Sequence, residues 1–370
     1  MNDYKYFDDL NIELIDGDRG KNYPRNDEMF EKEYCLFLNA KNVTINGFVF
    51  DENVFITKEK DELLRKGKLN RNDIVLTTRG TIGNVGLYDE SVKYDNVRIN
   101  SGMLIIRNND SNINTKYLYY QLTSPFIRDQ IFSLKTGSAQ PQIPITVLKK
   151  LKLLIPDKNI QDKIVKVMDS VVNKINLNNE INNNLYKLIK NNYEYLINGC
   201  NWEEVELGAI SNITSGKRPV DKSETVEYPV IGANGIMAYA SDYNFDEDLI
   251  ITGRVGTLGV VKRYLGKIWA SDNTLVIQTK YLNYIENYLK TIDYYSLNRG
   301  STQPLLTQGD LKKQIIYFNG ESVTKFEKDN QIFVDKIRNN EKENSKLIQL
   351  RDTLLPKLMN GEINLDNIKI

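Results

Sequence analysis

Apolar residues fall in one narrow stripe along residues 159–199, NIQDKIVKVMDSVVNKINLNNEINNNLYKLIKNNYEYLING. Ile160, Ile164, Val167, Val171 and Ile175, then Ile181, Leu185, Leu188, Tyr193 and Leu196, follow at steps mostly of three and four. That spacing predicts one long helix with a coiled-coil seam, narrower than the face of a globular helix. Pro156 stands just before it, and Asn198-Gly199 is a stop signal. At about 1.5 Å per residue the helix reaches roughly 58 Å. A helix so long and so polar needs a partner for its seam. Residues 324–361 offer one. Phe326, Phe333, Ile337, Leu347, Leu350, Leu354 and Leu358 form a second stripe, which ends in Asn360-Gly361. Both stretches have Asn-rich middles, at 176–184 and 339–344. Asn on a seam costs stability but fixes register and partner number.

The remaining sequence changes period. Short apolar runs broken by turn signals predict strands at 36–38, 43–45, 48–50, 74–76, 85–87 and 103–106. Asp16-Gly17 and Asn46-Gly47 are read as turns, and 117–122 and 125–133 as short helices. A helical turn at 145–148 and a last strand at 151–155 lead into the first long helix. Residues 201–320 follow the same plan, with a strand at 202–207 and a short helix at 281–288. The predicted domains are 1–155, 156–200, 201–320 and 321–370. The fold class is α+β: two strand-rich domains separated by two long helices.

The halves repeat each other. Gly80-Thr81-Ile82-Gly83 matches Gly256-Thr257-Leu258-Gly259, and Leu104-Ile105-Ile106 matches Leu275-Val276-Ile277. Gly137-Ser138-Ala139-Gln140-Pro141 matches Gly300-Ser301-Thr302-Gln303-Pro304, and Leu148-Lys149-Lys150 matches Leu311-Lys312-Lys313. The order is the same in each half and ends in a long helix, which predicts a duplication with pseudo-two-fold symmetry. Antiparallel pairing of the helices is the economical topology, with one globule at each end of a rod. Such a frame suits two different half-sites on duplex DNA.

Composition narrows the chemistry. The 370 residues contain 49 Lys+Arg and 49 Asp+Glu, a formal net charge of zero, which leaves room only for local basic faces. There is no histidine, which removes Ser-His-Asp and Cys-His catalysis and histidine metal sites. Two cysteines far apart, Cys35 and Cys200, exclude a disulfide framework and fit a cytoplasmic location. No apolar run predicts a membrane helix, and the N-terminus does not read as a signal peptide.

With these motifs the chain resembles the specificity (S) subunits of type I restriction–modification systems. The resemblance rests on DELLRKGKLNRNDIVLTTRGTIG at 61–83, the GSAQPQI and GSTQPLL turns, YPVIGANGI at 228–236, GRVGTLG at 253–259 and WASDNTLVI at 269–277. NIQDKI, where the family usually has Glu-Gln, keeps only Gln161. The resemblance covers essentially the whole chain. It implies two target-recognition domains, two conserved helical regions paired antiparallel, and no catalysis by this chain. It implies double-stranded DNA and two copies of a DNA adenine methyltransferase subunit as partners, with restriction endonuclease/translocase subunits where a nuclease exists. S-adenosylmethionine, and ATP with Mg, would be bound by those partners. No N-P-P-Y/F, D-P-P-Y/F, F-x-G-x-G or G-x-x-x-x-G-K-[ST] motif is present, in keeping with that division of labour. Rival readings are a silent or recombining variant of such a subunit, a scaffold binding proteins or glycans, and a carboxylate hydrolase for which no spacing exists.

The candidate DNA contacts are loop residues. Thr78 and Arg79 adjoin one GT-x-G loop and Arg254 the other, where glycines admit close approach and Arg suits phosphate or guanine. A plain strand connection with a solvated Arg reads equally well. Lys21, Tyr23 and Arg25, and Lys217 and Arg218, lie in basic loops after the first strand of each half. Surface charge alone would also explain them. Asn234 suits adenine or a left-handed turn. Ser138, Gln140, Ser301 and Gln303 suit DNA contact or capping of the following short helix. The Lys149-Lys150 and Lys312-Lys313 pairs read as a solvated face, and Trp202 and Trp269 as core.

Overall fold

The two stripes become two unbroken helices, Lys158–Ile197 and Gly320–Met359, each of 40 residues. The structure is a computed structural model that describes residues 4–133, 142–199, 201–219 and 227–363. Its two compact units are Met1–Leu177 with Glu343–Ile370, and Asn178–Lys342. Each long helix therefore gives one part of its length to each unit.

In the first unit a four-stranded antiparallel sheet runs in the order Ile12–Asp16, Met103–Asn108, Asp73–Thr77, Val85–Tyr88. Side chains alternate across it. Ile74, Leu76, Leu104 and Ile106 pack with Leu118, Ile127 and Ile131 of the helices Thr115–Thr123 and Pro125–Ser133. Val75, Met103 and Ile105 pack on Leu36, Leu38 and Val97 of a second sheet, Phe55–Ile56, Cys35–Leu38, Val97–Ile99. Burial on both faces explains why 74–76 and 103–106 read as apolar runs rather than alternating strands. Tyr4–Tyr6 pairs with Lys152–Leu154, the strand just before the first long helix.

The second unit repeats this wiring. Its four-stranded sheet runs Asn212–Ser215, Thr274–Gln278, Leu249–Gly253, Val261–Tyr264. Its other sheet places Tyr228–Gly232 parallel to Lys267–Ala270, as Cys35–Leu38 lies parallel to Val97–Ile99 in the first unit. Glu203–Glu206 pairs with Ile315–Phe318 before the second long helix. Trp269 is buried, and Trp202 packs against the core around Tyr284, so both tryptophans are structural.

Within each unit the helices run antiparallel. In the first, Ile164, Val167 and Met168 meet Leu355, Leu358 and Met359. In the second, Ile189 and Tyr193 meet Phe326, Val334 and Ile337. Fully burying one such side chain is worth about 1.5–3 kcal/mol, so the seam, not helix propensity, stabilises these helices. Three expected seam residues, Ile160, Leu188 and Leu350, are instead exposed. The seam runs through buried Asn178 and Asn182 in one helix and Asn340 and Asn344 in the other. Stepping between apolar residues alone therefore loses phase there.

Each long helix is also tied to its neighbouring domain. Gln161 is buried; its Oε1 accepts the Asn114 N–H at 2.9 Å, and its Nε2 donates to Pro156 O at 2.7 Å. In the second unit Glu327 accepts N–H groups from Asn283 at 3.1 Å and Tyr284 at 2.7 Å, at the start of the helix Leu282–Leu289.

Candidate nucleic-acid interface

The same loop ends meet in each unit because strand order and turn chemistry repeat. In the first, Thr78 and Arg79 both donate backbone N–H to Gly102 O, at 2.8 and 3.1 Å, and Ile143 N–H donates to Thr78 O at 3.2 Å. In the second, Arg254 and Val255 donate to Asn273 O at 2.8 and 3.4 Å, and Leu306 N–H donates to Arg254 O at 2.8 Å. Arg79 bridges Gln142, and Val255 bridges Leu305. The residues just before each GT-x-G loop are thus brought beside the residues that follow the GS-x-QP motif, Gln142-Ile143 and Leu305-Leu306. Gly80 and Gly83 have φ of 72° and 90°, and Gly256 and Gly259 of 85° and 80°. All four are left-handed, which is why glycine stands at these places.

This equivalence follows the match of the two GT-x-G loops and sets the two arginines one position apart. Thr78 corresponds to Arg254, and Arg79 to Val255. The frame is shared but the side chains it presents differ. Thr78 is buried and its Oγ1 donates to Gly102 O at 3.0 Å, so its hydroxyl serves the loop. Arg79 is half-buried, with no ion pair among the described residues. Arg254 is half-buried and donates from Nη1 to Asp272 O at 3.3 Å.

The loops after the first sheet strand join the same clusters. A Cβ built on Gly17 would lie 2.2 Å from Asn100 O, and one on Gly216 would lie 2.2 Å from Ser271 O. These glycines are equivalent, so Arg19 of the first unit corresponds to Arg218 of the second. Arg19 is a residue that sequence reasoning passed over: its Nη2 donates to Ser101 O at 3.3 Å and pairs with Asp16 at 3.1 Å. The signal was the glycine on either side of it in GDRGK. Lys21, Arg25, Lys217 and Arg218 are exposed. Tyr23 sits edge-to-face on Phe37 at 5.7 Å and belongs largely to the core. Lys217 is fixed by its backbone: its N–H donates to Ala270 O at 2.9 Å, and its O accepts Trp269 Nε1–H at 2.8 Å. Asp18 locks the first loop by accepting N–H groups from Gly20 at 2.7 Å and Arg65 at 2.8 Å, which hold its carboxyl below the usual value.

Asn234 is exposed at the tip between Tyr228–Gly232 and Gly235–Ala240. The positive φ there, 125°, belongs to Gly235, so Asn234 is not the left-handed residue of this turn. Lys262 Nζ donates to Asn234 O at 3.4 Å, which adds a cation to the cluster. Ser301 and Gln303 are exposed and cap nothing: the helix Gln308–Lys312 is capped by Thr307, whose Oγ1 accepts the Asp310 N–H at 3.1 Å. The turn ends too early in the chain to reach that helix. Ser138 and Gln140 lie outside the described residues. Lys149 pairs with Asp8 at 2.7 Å on the surface.

Among the described residues no three His, Cys, Asp or Glu side chains converge as a metal site. No described helix is long and apolar enough to cross a membrane. The arrangement offers cations and amide groups on loops held by buried backbone, which suits binding.

Comparison with known proteins agrees with this geometry. The family described as the type I restriction modification DNA specificity domain matches residues 18–187 and again 200–349. The chain belongs to this family. The MjaIX type I restriction enzyme specificity subunit of Methanocaldococcus jannaschii is 24% identical over 347 residues, 80% of this chain and 79% of that protein. The HindI specificity subunit of Haemophilus influenzae is 25% identical over 219 residues, 55% of this chain and 47% of that protein. The type I restriction–modification S subunit of M. genitalium superposes with a TM-score of 0.55 at 18% identity, over 96% of this chain and 95% of that one. The last likeness speaks for the fold. The chain is thus a specificity subunit with two recognition domains, the part of such a system that selects DNA sequence and not its catalyst.

Proposed function

We propose that this subunit reads a bipartite, asymmetric DNA site, one part with each unit. The observation that carries this is the duplicated loop cluster with unequal side chains: Thr78 where the other unit has Arg254, Arg79 where it has Val255. One frame with two sets of side chains suits two different half-sites. Direct readers would be Arg79, Arg254 and Asn234, with Arg19, Lys21, Arg25, Lys217, Arg218, Lys262, Ser301 and Gln303 on phosphates or groove edges.

On this reading the long helices dock two copies of a DNA adenine methyltransferase subunit, and restriction subunits join where the host makes them. Those partners bring S-adenosylmethionine, and ATP with Mg; this chain supplies only the choice of sequence. The complex works in the cytoplasm. With a net charge of zero, the chain alone neutralises few phosphates. Duplex binding therefore tightens when the methyltransferase is present.

Methylome mapping with and without the gene tests this. The expected result is loss of adenine methylation at one motif made of two unequal parts with a fixed unread spacer. An unchanged methylome overturns the reading for this copy.

A further inference from the structure

Two exposed aromatic residues, one per unit, each follow a residue packed under an equivalent glycine. A Cβ built on Gly83 would lie 3.5 Å from Ile131 Cγ2, and one on Gly259 would lie 3.1 Å from Tyr294 Cδ2. Ile131 and Tyr294 are buried, each beneath the last glycine of its GT-x-G loop. The next residue in both units is aromatic and faces solvent: Phe132 is 51% exposed and Tyr295 is 90% exposed. Phe132 lies in the helix Pro125–Ser133, while Tyr295 lies in a turn. The backbone differs and the outward ring is the same, so a side-chain role accounts for the match better than local folding does.

The Tyr295 turn is built rather than loose. Tyr295 N–H donates to Asp293 Oδ1 at 3.1 Å, and Asn298 N–H donates to Tyr295 O at 3.3 Å. Asn298 Oδ1 then accepts the Gly300 and Leu305 N–H groups, both at 2.9 Å. The Tyr295 backbone is therefore tied through Asn298 to the GS-x-QP turn that adjoins Arg254. Holding a tyrosine, with only two side-chain torsions, costs little entropy on binding.

We propose that Phe132 and Tyr295 are a matched pair of duplex-DNA contacts, one per unit, that lay their rings on the sugar–phosphate wall beside the reading loops. This rests on the DNA-reading function proposed above. Deoxyribose and phosphate are the same at every base pair, so the pair supplies affinity and position and leaves sequence choice to the loops. The Tyr295 hydroxyl can donate to a phosphate oxygen; Phe132 has only its ring. DNA is favoured over a protein partner because the residue before each ring underlies the last glycine of a GT-x-G loop, the loop assigned to reading.

The test uses the full chain purified with its methyltransferase subunit. The probes are one duplex carrying the mapped motif and one with the motif scrambled. Tyr295→Ala is expected to weaken both duplexes about five- to tenfold, with Phe132→Ala acting in the same direction. Tyr295→Phe keeps most of the affinity, and the methylated motif stays the same. Binding of both alanine variants within about twofold of wild type overturns the inference, as does loss of the methyltransferase from the purified complex or a changed motif. If wild type itself binds neither duplex, the DNA-reading function fails, a result separate from failure of the ring contacts.

Discussion

Asn340 donates from Nδ2 to Asn182 Oδ1 at 2.7 Å, with both side chains buried between the long helices. Neither amide can turn to water without opening the seam. Replacing Asn340 by Leu leaves the Asn182 carbonyl without this donor, at a cost of about 1–3 kcal/mol, whereas replacing both by Leu is nearly neutral or stabilising. Urea unfolding of N340L and of N182L/N340L checks this. A single variant as stable as wild type would show that the pair contributes nothing.

The Asp61 carboxylate is buried with two cations, the Arg98 guanidinium and Lys68 Nζ, the latter at 2.5 Å. Arg98 also donates to Lys66 O at 2.8 Å and Leu64 O at 3.0 Å, holding the loop that receives Asp18. Arg98→Met is expected to cost about 3–5 kcal/mol at pH 7. Burial pushes the Asp61 carboxyl up, but hydrogen bonds from Lys68 and Arg98 outweigh it and hold it below 3.8. A depressed carboxyl stabilises the fold above 3.8, and that contribution fades as pH falls through its lowered folded value. The gap between wild type and R98M in denaturant unfolding should therefore narrow on going from pH 7 into the acid range.

Glu327 behaves oppositely. Burial raises its carboxyl above 4.5, partly offset by the N–H groups of Tyr284 and Asn283. The unfolded chain gives up this proton first. Stability from this group is thus greatest at or below pH 4.5, falls as pH rises toward the raised folded value, and is level beyond it. Glu327→Gln has no such dependence. The stability difference between the two proteins should change above pH 4.5 in that direction; a flat difference would count against it.

Arg254 and Thr78 hold equivalent positions, but only Arg254 has a guanidinium to offer. Arg254→Ala should lower affinity for the mapped motif by about 1–3 kcal/mol and relax one base position. Thr78→Ala removes a hydrogen bond to Gly102 O, costs about 0.5–1.5 kcal/mol of stability, and leaves the methylated motif unchanged. Competition binding with single-base variants of the site separates the two outcomes.

Much of this fold was legible because its signals are periodic or repeated. The two stripes gave both long helices, and the matched GT-x-G and GS-x-QP motifs gave the duplication. The phase of the seam was not legible: Leu188 is exposed beside buried Ile189, Leu350 is exposed as well, and an apolar count skips the buried Asn182 and Asn340. Arg19 was missed although glycines flank it in GDRGK, because its match to Arg218 follows from the Gly17–Asn100 contact. The shift between Arg79 and Arg254 was already legible in the match of the two GT-x-G loops, since Arg79 directly precedes Gly80 whereas Val255 separates Arg254 from Gly256. Of the two roles open to the GS-x-QP turns, capping does not hold for the second, because Thr307 caps the helix Gln308–Lys312.

The unit that contains residue 4 is sewn from two distant lengths of chain, and the other from a single one, 178–342. A ribosome delivers residues in order. When residue 342 has emerged, every segment of the second unit is available, while Ile164, Val167 and Met168 still lack Leu355, Leu358 and Met359. The first unit made is thus the last that can be finished, and until then the nascent chain carries a bare oily strip that needs shelter from other chains.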